Sequence, residues 1–280
     1  MSWTTDSRHT TPHAPPSLGR THGSSFCDVD GLELHARVAA PHGWELDVVT
    51  CVPDVSDVVL LHGLGVSSRY MVPLLEELGA RVRCWAPDLP GHGRSEDAAE
   101  PQQLADAVDT LEAWLQVTGI EGPLLVANSW GCQVAVELAR RTPVAGLLLI
   151  GPVLDLRHRS LARNLVRLIA SHRHEPLSLS LLQAVDYVDT TYRRTLREFR
   201  AMQRYDLYAA LHEVDVPITI ARGEHDRISR RDWCLRLAKV HASPFVEVPG
   251  AGHCINATHP EEMAQLAFDV MGAARHEVTA

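Results

Sequence analysis

Residues 123–131 read Pro-Leu-Leu-Val-Ala-Asn-Ser-Trp-Gly, and they carry the clearest structural signal in the chain. The run from Pro123 to Ala127 is apolar without alternation, which is typical of a strand buried on both faces of a parallel sheet. A helical pattern over 130–141 follows at once. Ser129 is therefore predicted to lie on a sharp strand-to-helix turn, which strains the backbone and exposes the serine hydroxyl at the carboxyl edge of the sheet.

Strand and helix patterns alternate outward from this turn, which predicts an α/β fold with a doubly wound, mostly parallel sheet. The segment 25–54 differs, because apolar and polar residues alternate there around an Asp30-Gly31 turn and indicate paired strands. Elsewhere, strands are expected at 58–61, 81–87, 123–127, 144–150, 217–221 and 245–248, and helices at 67–79, from Pro101 onward, at 130–141 and from a Thr258–Glu261 capping box onward.

The chain divides into a tail, a core and an insertion. Residues 1–24 are rich in Ser, Thr, His and Pro, which cannot bury a core, so we expect a disordered tail. Residues 25–154 and 209–280 hold the strand–helix units and form the predicted core. Residues 155–208 have a helical pattern longer than a crossover needs. We interpret them as a cap inserted at the carboxyl end of a strand, where ligands bind in open α/β sheets.

The composition is that of an ordinary globular protein and excludes several classes of function. The 280 residues carry a formal net charge of −9, which disfavours a nucleic-acid partner. No apolar run reaches the ~18 residues of a membrane span, so no membrane association is expected. The six cysteines are scattered, and the N-terminal residues have no apolar signal-peptide core. We therefore expect a cytoplasmic protein with reduced thiols.

Candidate partners for Ser129 lie in two distant loops. A serine hydroxyl is a weak nucleophile at neutral pH, so it needs a base and a carboxylate that orients the base. His253 follows the last predicted strand, and Asp226 follows the strand at 217–221. Because parallel strands end at the same edge of a sheet, we expect both side chains to lie at the edge that carries Ser129.

The loop after the strand at 58–61 supplies the last part of the predicted site. Its sequence, His62-Gly-Leu64-Gly, has a flexible backbone that can aim the Leu64 N–H inward. The helix N-terminus after Ser129 supplies the Trp130 N–H, and the two groups form the predicted oxyanion hole. An ordinary turn is the alternative interpretation of this loop when it is taken by itself.

Four motifs occur in order along the chain: His62-Gly-Leu-Gly, Asp88-Leu-Pro-Gly-His-Gly-Arg-Ser95, Ala-Asn-Ser129-Trp-Gly, and Gly-Glu-His-Asp226 with Gly-Ala-Gly-His253. Together they resemble the α/β-hydrolase superfamily and, within it, the capped serine esterase-like hydrolases, in which the triad runs in the order Ser, Asp, His. The resemblance covers residues 25–275. It implies an eight-stranded, mostly parallel sheet, a lid after the sixth strand, and acyl chemistry that uses neither a metal nor another cofactor.

The sequence departs from the family's usual G-x-S-x-G-G pattern at two positions, where it has Ala127 and Cys132. Alanine is still small, so we expect only a slight shift in the geometry of the turn. Some relatives place the acid after the sixth strand, which makes Asp155 the alternative to Asp226. Haloalkane dehalogenases and epoxide hydrolases of the superfamily use Asp at the turn, so Ser129 argues against both activities.

Three further features of the sequence each have two possible interpretations. The thiols of Cys132 and Cys254 adjoin catalytic positions and serve either redox regulation or packing. One face of a cap helix either attracts an anionic substrate or is simply solvated; it carries Arg193, Arg197, Arg200 and Arg204. Apolar and aromatic cap residues either line a pocket or pack the cap onto the core; they are Tyr187, Tyr192, Phe199, Met202, Tyr205 and Tyr208.

The sequence thus predicts a serine hydrolase that cleaves an ester or related acyl bond of a small to medium organic substrate through an acyl-enzyme. Hydrolysis of a C–C bond, a thioester or a lactone, and acyl transfer to another alcohol, use the same residues and stay open, because they differ in pocket shape and water access. A non-catalytic ligand sensor built on the same scaffold is the alternative from a different class of protein. The oligomeric state stays open.

Overall fold

A mixed eight-stranded sheet organises the chain. The computed structural model describes residues 22–41, 57–98, 103–153, 155, 167, 171–190 and 192–278. The strands are β1 (His22–Val29), β2 (Leu32–Ala39), β3 (Val58–Leu61), β4 (Cys84–Pro87), β5 (Leu124–Asn128), β6 (Gly146–Ile150), β7 (Ile218–Gly223) and β8 (Phe245–Val248). Their order in the sheet is β1-β2-β4-β3-β5-β6-β7-β8. The pairs β1–β2 and β2–β4 are antiparallel and the other pairs are parallel, so the predicted mostly parallel sheet is confirmed.

The first hairpin begins earlier than the composition indicates. Strand β1 starts at His22, and Ser24 pairs with Arg37 of β2, so the predicted tail of residues 1–24 includes the first three residues of a strand. Main-chain pairing with β2 determines this boundary, because polar side chains do not prevent a backbone ladder at a sheet edge. Residues 1–21 of the predicted tail lie outside the described residues.

Helices cover both faces of the sheet. They are α1 (Val72–Gly79), α2 (Leu104–Thr118), α3 (Gly131–Ala139), α4 (Leu177–Asp189), α5 (Tyr192–Met202), α6 (Leu207–Leu211), α7 (Arg231–Val240), α8 (Ile255–Thr258) and α9 (Pro260–Val278). The apolar residues of α1 and α9 pack on one face with Leu124 and Val126 of β5. Those of α2, α3 and α7 pack on the other face with Leu125 and Ala127. Burial of both faces explains why this strand is apolar without alternation.

The last long helix does not begin at the predicted capping box. Thr258 is the final residue of the short helix α8, and its hydroxyl donates a hydrogen bond to the Cys254 carbonyl at 3.2 Å. Helix α9 begins at Pro260, a residue that suits a first helical turn because it has no N–H to satisfy. The predicted Thr258–Glu261 capping box is therefore wrong, because the hydroxyl bonds back into the preceding turn.

The predicted cap segment, residues 155–208, lies in the chain between β6 and β7. Its described part contains the 3₁₀ helix His172–His174, the helices α4 and α5, and the start of α6. A buried carboxylate joins α4 to the core, because Asp186 accepts hydrogen bonds from the Ser67 N–H at 2.9 Å and the Ser67 hydroxyl at 2.8 Å. Residues 156–166, 168–170 and 191 of this segment lie outside the described residues.

Four loops meet at the carboxyl edge of the sheet, because neighbouring parallel strands all end there. They follow β3, β5, β7 and β8 and carry the candidate residues Leu64, Ser129, Asp226 and His253. Within the described ranges, no helix combines the length and apolar character that crossing a membrane requires.

Candidate active site

Ser129 occupies a strained turn between β5 and α3. Its φ is +60°, in the left-handed region that residues other than glycine seldom adopt. The Ser129 N–H donates to the Ile150 carbonyl of β6 at 2.9 Å, and the Ser129 carbonyl accepts from the Cys132 N–H at 3.2 Å. The side chain is half-buried. This is the strand-to-helix turn that the sequence predicts.

The turn requires small neighbours on both sides of Ser129. A Cβ at Gly131 would lie 2.5 Å from the Leu61 carbonyl oxygen and 2.7 Å from that of His62, which is closer than real Cβ contacts. Ala127 is fully buried and pairs with Leu61 across the sheet. A larger residue at either position would push the turn away from β3.

The two cysteines beside the site are buried packing residues. The Cys132 thiol donates to the Ala127 carbonyl at 3.2 Å and lies 3.5 Å from the Ile150 carbonyl oxygen. Burial raises the pKa of Cys132 and that of Cys254 well above the ordinary value. Because the thiolate is the reactive form, a raised pKa disfavours thiol chemistry, and the geometry favours packing over redox regulation.

Asp226 and His253 form a buried hydrogen-bonded pair. His253 Nδ1 lies 2.6 Å from Asp226 Oδ2. An ionised carboxylate can only accept, so Nδ1 carries the proton and Nε2 is the basic nitrogen. The other carboxylate oxygen, Oδ1, accepts from the N–H groups of Ile228 and Ser229 at 2.8 and 2.9 Å. These bonds fix the orientation of the carboxylate toward the imidazole.

The surroundings of His253 favour its protonated form. Burial by itself lowers the pKa of the imidazole, and the positive charge of Arg222 acts in the same direction. The charge and hydrogen bond of Asp226 and the charge of Glu175 outweigh both effects, so the pKa of His253 is raised from its ordinary 6.5. A raised pKa makes Nε2 a stronger base toward a nearby hydroxyl.

The alternative acid, Asp155, contacts a residue other than His253. Asp155 Oδ1 is 3.5 Å from Arg236 Nη1, on helix α7. Of the two carboxylates that the sequence offers, the structure places Asp226 against the imidazole of His253.

The loop after β3 lies against Ser129. A Cβ at Gly63 would lie 3.2 Å from Ser129 Cβ and 3.6 Å from Ser129 Oγ. The Gly63 N–H donates to the Tyr70 hydroxyl at 2.8 Å, and that hydroxyl donates to Asn128 Oδ1 at 2.9 Å. These bonds join the loop to the residue just before Ser129, and Leu64 follows Gly63 directly. Both predicted oxyanion residues, Leu64 and Trp130, are thus chain neighbours of groups packed at the Ser129 turn.

His62 holds the other side of the same loop. Its Nε2 accepts from the Leu89 N–H at 3.0 Å, and its Nδ1–H lies 2.8 Å from the Gly63 carbonyl oxygen. Burial and the neighbouring His92 lower the pKa of His62 to about 4, so the ring is neutral at neutral pH. The Asp88–Ser95 segment therefore supports the loop, because Leu89 helps to fix His62.

The cap residues lie as the packing interpretation expects. The ring of Tyr187 lies against the loop after β3, since a Cβ at Gly65 would be 2.8 Å from Tyr187 Cε1. Other predicted pocket residues pack against the core, namely Phe199, Met202, Tyr205 and Tyr208. The described side chains of the arginine face are exposed, which favours a solvated face; they are Arg197, Arg200 and Arg204. The side chains of Tyr192 and Arg193 lie outside the described residues.

Three residues at the site were missed by the sequence analysis. Asn128 is the one that a pattern points to, because a polar residue at the end of an apolar strand is unusual. Its Nδ2 donates to the carbonyls of Ile150 at 3.2 Å and His253 at 3.3 Å. Tyr70 and Glu175 belong to no motif, and only the folded chain brings them to the site.

The chain belongs to the alpha/beta hydrolase family, whose family model matches residues 58–266. The solved enol-lactonase from Burkholderia xenovorans LB400 has the same fold, with a TM-score of 0.72, 19% identity and coverage of 88% of this chain and 99% of that one. The fold and the family match together define this protein as an α/β-hydrolase enzyme.

Curated relatives are similar in sequence to part or most of this chain. The pimeloyl-[acyl-carrier protein] methyl ester esterase of Aromatoleum aromaticum is 28% identical over 256 residues, which covers 77% of this chain and 98% of that protein. The magnesium-chelatase 30 kDa subunit of Rhodobacter capsulatus is 33% identical over 120 residues. That match spans only 42% of either chain, so the likeness to this relative is partial.

Proposed function

We propose that the protein is a serine hydrolase that cleaves a carboxylic ester or related acyl bond of a small to medium organic substrate. Ser129 is the nucleophile, His253 the general base and acid, and Asp226 the orienting carboxylate. The observation that carries the proposal is the 2.6 Å contact between His253 Nδ1 and Asp226 Oδ2, at the sheet edge where a strained turn carries Ser129. A base oriented by a buried carboxylate is what activates a serine hydroxyl.

The reaction proceeds through an acyl-enzyme. Ser129 Oγ attacks the acyl carbon while His253 Nε2 takes the hydroxyl proton, and the N–H groups of Leu64 and Trp130 bind the oxyanion of the tetrahedral intermediate. His253 then gives its proton to the leaving alcohol. Water, deprotonated by the same imidazole, attacks the acyl-enzyme and releases the acid. Throughout the reaction, Asp226 accepts a hydrogen bond from the proton on Nδ1 of His253, and it stabilises the imidazolium when that forms.

The fixed position of the loop after β3, which carries Leu64, supports the proposed oxyanion hole. Oxyanion donors are effective only when they are fixed in place before the charge develops, and one donor is worth about 3–4 kcal/mol of the barrier. Here the loop that carries Leu64 is held by Tyr70 on one side and His62 on the other. Trp130 begins the turn into α3, where the helix N-terminus favours negative charge.

The substrate class rests on two further supports. The relative that matches along nearly its whole length is named as a methyl ester esterase. Tyr187 from the predicted cap, residues 155–208, lies over the loop beside Ser129, which suits a covered site for a small molecule.

A cytoplasmic location is part of the proposal and rests on the scattered cysteines. Thioester, lactone or C–C bond cleavage and acyl transfer need the same triad.

The test is a panel of p-nitrophenyl esters of increasing acyl length, followed by acyl-thioesters and lactones. Hydrolysis is expected for at least one ester, and Ser129→Ala should lower kcat by about 10⁴–10⁶. Ser178→Ala, at an exposed serine of α4, is the matched control and should retain the parent rate. A Ser129→Ala variant that hydrolyses the best ester at near the parent rate would refute the proposed mechanism.

A further inference from the structure

A short segment of the predicted cap lies across the two loops that carry the acid and the base. Ser171 Oγ accepts from the Arg227 N–H at 3.2 Å. The His174 ring lies 4.4 Å, centroid to centroid, from the ring of His225. His225 and Arg227 flank Asp226 in the chain, so this segment contacts the acid loop on both sides of the carboxylate.

Glu175, the next residue of the segment, contacts the base loop. Its Oε1 accepts from the Cys254 N–H at 2.8 Å. The carboxylate fits because residue 252 is glycine, since a Cβ at Gly252 would lie 2.4 Å from the same Oε1. Gln183 of α4 adds a second contact, from its Nε2 to Cys254 Sγ at 3.3 Å.

The peptide unit between His253 and Cys254 is therefore held from two directions. Its carbonyl, on His253, accepts from Asn128 Nδ2 at 3.3 Å, on the core side. Its N–H, on Cys254, donates to Glu175, on the cap side. This peptide unit determines where the Cα of His253 lies and in which direction the imidazole leaves the backbone.

We propose that Glu175 is a positioning residue for the reaction: from the cap, it holds the His253–Cys254 peptide unit and places a second negative charge beside the imidazole. The inference rests on the proposed function of His253 as base. It makes the cap part of the catalytic apparatus, in addition to any role as a cover for the substrate.

Geometry and charge give Glu175 two separable effects. A catalytic group displaced by about 1 Å can cost a hundredfold in rate, so loss of the hydrogen bond should lower kcat. Loss of the charge alone should make the imidazole less basic. Among the described residues, the charged groups that act most on the pKa of His253 are Asp226 and Arg222, from β7 and its loop, and Glu175 from the cap. The buried Cys254 thiol is next to His253 in the chain. Of these, Asp226 and Glu175 favour the imidazolium.

Two substitutions separate the effects. Glu175→Gln keeps an oxygen that can accept from the Cys254 N–H but removes the charge, whereas Glu175→Ala removes both. Glu224→Gln is the matched control, because Glu224 Oε2 accepts from the Gly250 N–H at 2.8 Å and so makes the same kind of bond to the same loop, away from the 253–254 peptide unit. The pKa of His253 is measured by NMR titration, with His253→Gln to assign the resonance, and kcat and KM are measured across pH with the best ester.

Glu175→Gln should lower the pKa of His253 and move the acid limb of kcat/KM to lower pH by about 0.3–1 unit, with the plateau kcat within about threefold of the parent. Glu175→Ala should lower the plateau kcat by about tenfold or more at similar KM. Glu224→Gln should match the parent. An unchanged His253 titration in Glu175→Gln, or full activity in Glu175→Ala, would overturn the inference. The titration reports on Glu175 without any turnover, so a failed esterase assay counts against the proposed function alone.

Discussion

The Tyr70 hydroxyl joins the loop after β3 to the end of β5, just before Ser129, and Tyr70→Phe removes only that hydroxyl. In the folded protein it accepts from the Gly63 N–H at 2.8 Å and donates to Asn128 Oδ1 at 2.9 Å. Tyr70 is fully buried, and burial raises the pKa of its phenol well above the ordinary value. The hydroxyl is therefore protonated at neutral pH, and it serves as donor and acceptor together.

The expected loss of stability follows from the two groups left behind. Without the hydroxyl, a buried backbone N–H at Gly63 and a buried amide oxygen at Asn128 each lose a partner. An unsatisfied buried polar group costs about 1–3 kcal/mol, so the free energy of unfolding should fall by roughly 2–6 kcal/mol. Because Gly63 immediately precedes Leu64, the released loop should also bind the oxyanion less well, and kcat should fall by about 10–100-fold.

Urea unfolding followed by circular dichroism measures the first effect, and ester hydrolysis measures the second. The matched control is Tyr208→Phe, which makes the same chemical change in a half-buried ring packed against the core. The Tyr208 ring contacts His212 and the Arg236 guanidinium, and no described residue forms a hydrogen bond with its hydroxyl. If Tyr70→Phe were as stable as the control to within about 0.5 kcal/mol and fully active, the network would not hold the loop in the way described.

Three other predictions concern the acid, the turn and the buried histidine. Asp226→Asn should lower kcat by about 10⁴, because the imidazole loses the carboxylate that fixes its tautomer, whereas Asp155→Asn should stay within about tenfold of the parent in the same assay. Gly131→Ala should destabilise the protein by at least about 2 kcal/mol in urea unfolding, because the new Cβ would lie 2.5 Å from the Leu61 carbonyl oxygen; a stable, active variant would contradict the required close approach. The pKa of His62 is lowered from 6.5 to about 4 in the folded protein, so the unfolded chain binds this proton first. Stability from this group should be complete above pH 6.5 and fall by roughly 3 kcal/mol toward pH 4, and His62→Gln should flatten that part of a stability–pH curve.

The positions of the parallel strands and the edge that carries the candidate site could be predicted because they depend on local pattern and topology. Unbroken apolar runs indicated strands buried on both faces, as the cores on the two sides of β5 confirm. Parallel strands end at one edge, so the loops that follow β5, β7 and β8 could be expected to meet. The Asp226–His253 contact is the direct result of that topology.

Contacts that depend on how the cap docks could not be predicted in this way. The Glu175–Cys254 bond joins residues 79 apart in the chain, and a lone glutamate in a helical segment has no pattern that distinguishes it from a solvated one. The Thr258–Glu261 pattern shows the opposite failure. The sequence has a local capping signal, but in the structure the Thr258 hydroxyl donates its hydrogen bond to the Cys254 carbonyl in the preceding turn instead.

The most direct test of the account is to locate the covalent adduct that a fluorophosphonate probe leaves on the protein. Such a probe reacts with a serine only where a base and an oxyanion site activate it. We expect one adduct, on the peptide that contains Ser129, absent after Ser129→Ala and formed far more slowly after His253→Ala. An adduct at another serine, or labelling of Ser129 that does not depend on His253, would contradict it.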